Sequence, residues 1–167
     1  MAAIQKLDHP RNKKEVQSFI GMVNFLRKFI SNFSEILREI TNMLRKESQI
    51  FWTTEAKSSF QQIKDAISKA PVLASPDCSR DFYVFSFSSE FTIAGELLQK
   101  NSEGSKQPIA FFSKALRGVE LKYNIMEKQA YAMGQALKYF RVYVLHSHII
   151  AYVPNVEIMI RLASLTR

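Results

Sequence analysis

The stretch Asp81–Gln99, DFYVFSFSSEFTIAGELLQ, predicts two neighbouring strands of a sheet. Successive side chains of a strand point to opposite faces of the sheet. In the first strand, Phe82 to Phe87, one face therefore carries Tyr83, Phe85 and Phe87, and the other carries Phe82, Val84 and Ser86. Apolar bulk on both faces is typical of a central strand, so we expect this strand to be covered on both sides.

Composition places the chain among globular proteins of ordinary size. Its 167 residues are 47% hydrophobic and 23% charged, and no apolar run is long enough to cross a bilayer. The N-terminus lacks the apolar core of a signal peptide, and the one cysteine, Cys78, suits a reducing compartment. We therefore expect an intracellular protein, cytoplasmic or nuclear, with no membrane partner.

The formal net charge of +8 suggests an anionic partner. Such an excess attracts nucleic acid through nonspecific electrostatics. A solvated surface that is merely basic explains the same number, and charge alone favours neither interpretation.

Residues before the opening stretch predict a three-helix unit. Asn12 and Glu15 form a capping-box pattern ahead of a helical apolar stripe. Ser34 is the expected cap of a second helix and Thr53 that of a third, which Pro71 ends.

Residues after it predict a mixed sheet. A third strand, Gln107 to Ser113, completes an antiparallel meander, and a long helix from about Val119 to Tyr143 follows. A fourth strand, His148 to Val153, then returns parallel to an existing strand by a right-handed crossover, before a short helix, Val156 to Leu165. The fold class is α+β, with the order β-β-β-α-β-α after the helices.

Several runs together resemble one family over nearly the whole chain. They are Pro10–Phe25, Arg27–Ile30, Phe51–Thr53, Ala70–Leu73, Phe82–Gln99 and Gln107–Lys114. The pattern is similar to reverse transcriptases of Ty3/gypsy-type long-terminal-repeat retrotransposons, and most similar to plant elements with a decayed RNase H domain. The resemblance implies a thumb-like region at 1–75 and a degenerate, C-terminally truncated RNase H-like domain at 76–167.

What the resemblance implies for catalysis depends on four carboxylates. In the family these hold two magnesium ions, which activate water and stabilise the leaving oxygen. The first three positions fall on Phe87, Gln129 and Pro154, and the fourth lies past Arg167. We therefore expect no metal cofactor and no ribonuclease catalysis. In the family the palm that carries polymerase chemistry lies upstream of the thumb, so we expect no polymerase activity either.

Three nearby glutamates are poor substitutes for those ligands. Glu127 lies two positions from Gln129 and so faces away on a helix. Glu90 lies past the strand end. Glu96 is expected at a solvent-facing or edge position of the sheet.

The basic residues of the helical unit are the candidate nucleic-acid contacts. They are Arg11, Lys13, Lys14, Arg27, Lys28, Arg45 and Lys46. In the family the thumb helices follow the template–primer duplex, and Lys and Arg contact phosphates without regard to sequence. A solvated cationic face is the alternative. Gly21 would allow another element to approach the first helix closely.

Two other groups of residues are weaker candidates for a functional site. His146 and His148 lie on one side of a strand, but no third metal ligand accompanies them. Tyr139 and Tyr143 alternate with Lys138 and Arg141 in a pattern that could stack on bases, although Phe140 between them is expected in the core.

Three functions remain open. The leading hypothesis is a noncatalytic tether that contacts an RNA–DNA hybrid. The second is a protein-interaction module that uses an uncovered sheet edge. The third is residual ribonuclease H activity.

Overall fold

The computed structural model describes residues 7–45 and 50–152, which form four α-helices, two 3-10 helices and one four-stranded sheet. Their bounds are α1 Lys13–Asn24, a 3-10 helix Arg27–Phe29, α2 Phe33–Arg45, α3 Thr54–Ser68, β1 Phe82–Ser88, β2 Thr92–Lys100, β3 Lys106–Ala115, a 3-10 helix Gly118–Lys122, α4 Ile125–Val144 and β4 Ile149–Tyr152. The predicted helix 156–165 and the predicted strand end at Val153 lie outside the described residues.

The first three helices form the predicted helical unit. Asn12 caps α1 by accepting from the amide of Glu15, and Thr53 caps α3 by accepting from the amide of Ala56. The unit has its own apolar core: Val16, Phe19, Val23, Ile30, Phe33, Leu37, Ile40, Met43, Ala56, Phe60, Ile63 and Ile67. Helix-period apolar patterning therefore predicted this unit correctly.

The start of α2 differs from the prediction. Ser34 lies inside the first turn, because the chain turns at Asn32, whose φ of 55° is left-handed. The carbonyl oxygen of Asn32 accepts from the amides of Glu35 and Ile36. Asparagine tolerates this conformation better than most residues. Ser34 is thus freed from capping and contacts the sheet.

The sheet has the predicted mixed topology. Its strand order is β3-β2-β1-β4, with β1–β2 and β2–β3 antiparallel and β4 parallel to β1. In this register Phe85 lies beside Glu96 on one side and Tyr152 on the other. The crossover through α4 produces the parallel pair, as the order of elements indicated.

The long helix begins later than predicted. Gly118–Lys122 is a 3-10 turn, and α4 starts after Asn124, which forms a capping box with Glu127. That Asn-x-x-Glu signal is present in the sequence and identifies the true start. Within the described ranges 7–45 and 50–152, no helix is long and apolar enough to cross a membrane.

One face of the sheet packs tightly on α4. A Cβ placed on Gly95 would lie 2.7 Å from the Cβ of Ala136, so the helix approaches β2 closely because residue 95 has no side chain. The apolar residues that fill this core are Phe82, Val84, Ile93, Leu97, Ile109, Ala110, Phe112, Leu116, Ala132, Met133, Ala136, Phe140 and Val144.

The opposite face is covered in part. The helical unit contacts β3 and β2 through α2 and the first 3-10 helix. At the β1 end of this face, Phe85 is half-buried and Phe87 is 46% exposed. The prediction that β1 is covered on both sides is therefore wrong near its end, because apolar alternation reports which residues share a face and not what lies over them.

Candidate functional site

The end of β1 is where the resemblance expects a carboxylate. Phe87 lies there, opposite Ala94 of β2 and on the sheet face turned away from α4. Gln129 is half-buried in α4, which packs on the other face. Pro154 lies outside the described residues.

Neighbouring glutamates are engaged elsewhere. Glu127 accepts from the amide of Asn124 at 2.9 Å and completes the capping box of α4. Glu96 accepts from the Ser31 hydroxyl at 2.6 Å. It stands on β2, an interior strand, so its predicted edge position is wrong, and its side chain is half-buried on the face that the helical unit covers in part.

The loop after β1 is held by a lysine instead. Lys128 is buried, and its Nζ donates to the carbonyl oxygen of Glu90 at 2.8 Å. The positive charge of Lys128 disfavours a metal cation nearby, because like charges repel.

These side chains do not suit magnesium. Mg²⁺ prefers several anionic oxygens, whereas Phe87 offers no donor atom and Gln129 offers a neutral amide. In the part of the chain that the structure describes, no three His, Cys, Asp or Glu side chains are grouped so that they could hold a metal.

Polar contacts join the helical unit to the sheet. Glu35 of α2 accepts from the hydroxyls of Ser89 at 2.8 Å and Thr92 at 2.5 Å, beside the β1–β2 turn. Ser34 contacts Ser113 with 3.1 Å between hydroxyl oxygens, and Arg27 donates to the carbonyl oxygen of Ser113. These partners lie 54 to 86 residues apart, so no local signal in the sequence indicates them.

The candidate basic residues differ in availability. Arg11, Lys14, Lys28 and Arg45 are exposed and Lys13 is half-buried, whereas Lys46 lies outside the described residues. Arg27 is exposed but already bound to Ser113, which gives it a structural role in addition to the predicted one.

Gly21 was predicted to allow a close approach by another element. It is exposed, and a Cβ built there would have no atom within 4 Å among the described residues. Among the described residues, the backbone of α1 is therefore uncovered at Gly21.

Lys114, Glu120 and Tyr131 form the densest polar cluster on the α4 face. The Lys114 ammonium donates to Glu120 at 2.6 Å and to the Tyr131 hydroxyl at 2.8 Å, and Tyr131 also donates to Glu120. The hydrogen bond from Lys114 is the main cause that lowers the pKa of Glu120 to about 2. Burial raises the pKa of Tyr131, so this cluster suits a structural tie better than a catalytic base.

The remaining candidates are not assembled into a site. His148 approaches Asp81 with 3.0 Å between Nδ1 and Oδ1, which ties the starts of β4 and β1. Phe140 is fully buried, as predicted, and Tyr139 is partly exposed with its ring 5.0 Å from that of Phe112. Cys78 is an exposed free thiol.

Comparison with known proteins gives matches of two kinds. Residues 52–151 match the model of the RNase H-like domain found in reverse transcriptase. The Tf2-3 and Tf2-4 transposon polyproteins of Schizosaccharomyces pombe are each 30% identical to the chain over 135 residues, which is 81% of this chain and 10% of each polyprotein. The chain thus spans about a tenth of the curated relatives that it matches.

Solved structures agree with that match. A foamy viral protease-reverse transcriptase in complex with dsDNA is 30% identical, with a TM-score of 0.79 over 98% of this chain and 34% of the other. The foamy viral enzyme in complex with an RNA/DNA hybrid is 32% identical, with a TM-score of 0.75 over 92% of this chain and 21% of the other. The family match runs across the predicted domain boundary at residue 75, which stays a prediction.

Proposed function

The chain belongs to the RNase H-like domains found in reverse transcriptase, and on that premise we propose that it is a retroelement segment that binds an RNA–DNA hybrid without cleaving it. One observation carries this proposal. Both helical unit and sheet are similar, over nearly the whole chain, to foamy viral enzymes that hold dsDNA and an RNA/DNA hybrid.

The helical unit supplies the proposed contact surface. Arg11, Lys13 and Lys14 stand at the start of α1, and the exposed Gly21 lets a phosphate backbone approach that helix. Lysine and arginine contacts to phosphate release counterions, so such binding weakens steeply as salt rises. Lys28 and Arg45 would extend the same surface, and the predicted contact at Lys46 lies outside the described residues.

Absence of cleavage is the second half of the proposal. The phenyl ring of Phe87 and the amide of Gln129 replace the oxygen anions that two magnesium ions require. With Pro154 at the third position, the sheet would position the hybrid and leave its hydrolysis to another domain.

Fluorescence anisotropy with a labelled RNA–DNA hybrid tests the binding half. We expect affinity that falls with salt, and a Lys13→Glu, Lys14→Glu double variant with a smaller salt slope and weaker binding. Each lost phosphate contact reduces the slope by about 1. Lys57→Glu, Lys69→Glu, an equal charge change at two exposed lysines near the ends of α3, is the matched control. Equal losses in both variants, or no binding at low salt, would refute the proposal.

A magnesium-dependent cleavage assay on the same hybrid tests the other half. We expect no turnover above that of a blank preparation made identically without the protein. Turnover in the unaltered protein would instead support the third hypothesis, residual ribonuclease H activity.

A protein-interaction role is the second candidate. Within the described residues, β4 is a four-residue edge strand, and Val142 and Leu145 are exposed near the end of α4. Edge strands and exposed apolar side chains invite protein partners. Absence of hybrid binding at every salt concentration would favour this protein-interaction role.

A further inference from the structure

A second polar–aromatic surface lies on the sheet, apart from the basic residues of the helical unit. It occupies the open part of the face turned away from α4, and we call it the aromatic–lysine face. Its members are Tyr83, Phe85, Phe87, Tyr152, Lys100 and Lys106.

Its rings are ordered and partly accessible. Phe85 and Tyr152 stack with 4.3 Å between ring centroids and 5° between ring planes, and Tyr83 stacks on Tyr152 at 6.3 Å. Tyr152 is 42% exposed, and Phe87, at 46%, continues the row along β1. Two aromatic surfaces therefore remain open beside rings that the sheet holds in place.

Its lysines lie over the same rings. The Lys106 ammonium is 4.6 Å from the centroid of Tyr152, 4.8 Å from that of Phe85 and 5.2 Å from that of Tyr83. The Lys100 ammonium is 5.2 Å from the centroid of Tyr83. Cation–π attraction keeps both charges at the aromatic surface.

Neither lysine is neutralised by an acid. Among the residues that the structure describes, the ion pairs involve other side chains, and no carboxylate lies within 4.0 Å of either ammonium. Glu96 shares this sheet face, but its carboxylate is bonded to Ser31. Both ammonium groups remain available to an anion from outside.

We propose that the aromatic–lysine face binds single-stranded nucleic acid, with bases stacked on Phe87 and Tyr152 and phosphates bound by Lys100 and Lys106. An acidic peptide would use the lysines without needing the rings, and an apolar peptide would use the rings without the lysines. A duplex keeps its base faces stacked internally, whereas a single strand offers both bases and phosphates to the same surface.

Phe87 places this site at the position where the resemblance expects a carboxylate. A carboxylate at that position would repel phosphate, whereas a phenyl ring extends the stacking surface. The site goes beyond the proposed hybrid binding, because it uses a different surface and a different form of nucleic acid.

Binding of a fluorescein-labelled 12-residue oligo(dT) at 50 and 300 mM NaCl tests it. We expect Tyr152→Ala to weaken binding about 5- to 150-fold, the range for loss of one stacked base, and Tyr152→Phe to restore it. Lys106→Gln should reduce the salt slope by about 0.7, the value for one phosphate contact of a single strand. Phe51→Ala removes a more exposed ring, 76% accessible, elsewhere and should leave oligo(dT) binding unchanged.

Because Tyr152 stacks on Phe85, its loss could loosen β4, so Phe87→Ala provides an independent variant at the free end of the row. We expect it to weaken oligo(dT) binding while the melting temperature stays unchanged. Weakening by Phe51→Ala equal to that by Phe87→Ala and Tyr152→Ala would overturn the proposal.

The helical-unit variant separates this site from the proposed function. Lys13→Glu, Lys14→Glu should weaken hybrid binding and leave oligo(dT) binding unchanged. The double variant could instead abolish binding of both hybrid and oligo(dT) while Tyr152→Ala affects neither. A single site on the helical unit would then explain all binding, and the aromatic–lysine face would not be a binding site. Binding of oligo(dT) only after removal of residues 153–167 would also overturn the proposal, because that segment would then be the occupant.

Discussion

On the face of the sheet turned to α4, apolar side chains of strand and helix interlock, whereas the opposite face is joined to the helical unit through hydroxyls, a guanidinium and a carboxylate. Ala136 meets β2 where Gly95 has no side chain, and Phe140 is fully buried beside it. On the other face, Glu35 binds the hydroxyls of Ser89 and Thr92. The first contact depends on shape, and the second depends on a few polar groups.

This difference shows how one sheet can serve two purposes. The α4 face is a closed core that specifies the fold. The opposite face is a surface on which the helical unit is seated at one half while the other half remains open. Substitutions on the first face should therefore affect the stability of the fold, and those on the second should affect how its parts are arranged.

The largest expected effect is at the centre of the α4 face. Phe140→Ala should lower the free energy of unfolding by about 3–5 kcal/mol, because it removes a fully buried ring and leaves a cavity. Val142→Ala, two positions along the same helix and 83% exposed, should change it by less than about 0.5 kcal/mol. Urea denaturation followed by circular dichroism measures both. Equal losses would contradict the closed-core description.

The close approach of α4 to β2 gives the second prediction. Gly95→Ala should cost about 1–3 kcal/mol, because the added methyl would lie 2.7 Å from the Cβ of Ala136. Adding Ala136→Gly should recover part of this loss, limited by the cost of about 1 kcal/mol for glycine within a helix. A double variant less stable than Gly95→Ala would show that the two positions do not meet.

The polar junction on the opposite face gives the third. Glu35→Ala should cost about 1–2 kcal/mol, since two hydroxyls lose their charged acceptor near a partly buried turn. Hydrogen exchange should rise at the β1–β2 turn and α2 while the amides of α4 keep their protection. Glu39→Ala, four positions along α2, serves as the control. Increased exchange across α4 would mean that the two faces are not independent.

A pH dependence on the α4 face gives the smallest effect. The folded pKa of Glu120 is about 2, below its ordinary value of 4.5, so its contribution to stability is present above pH 4.5 and is lost as pH falls towards 2. Partial exposure limits this contribution to about 1 kcal/mol. The difference between the urea midpoints at pH 6 and pH 3 should be smaller in Glu120→Gln than in the unaltered protein. An unchanged pH profile in the variant would remove Glu120 from the explanation.

Regular structure was predictable where local signals are strong. Asn12 and Thr53 identified two helix starts, and the apolar alternation of β1 placed it inside the sheet, with a parallel neighbour after the crossover. The capping box of Asn124 and Glu127 is an equally strong local signal, and it identifies a start of α4 later than the predicted one.

Contacts between distant residues were not predictable in this way. Whether Phe87 is covered depends on where the helical unit sits, and that depends on hydrogen bonds such as Glu35 to Ser89 that have no periodicity. The same applies to Lys106, whose ammonium lies over rings of β1 and β4 although its own strand is β3. Sequence patterns identify the faces of an element, and only tertiary packing decides which face stays open.

The parallel pairing of β4 with β1 also sets an order of events during folding. β1, β2 and β3 are joined by short turns and can pair as soon as they exist, whereas the partners Asp81 and His148 at the start of the β1–β4 pair are 67 residues apart. Closing so long a loop costs entropy before its contacts form, so we expect this pairing to be slow. We therefore expect Tyr152 to reach Phe85 late and the aromatic–lysine face to be completed late in assembly.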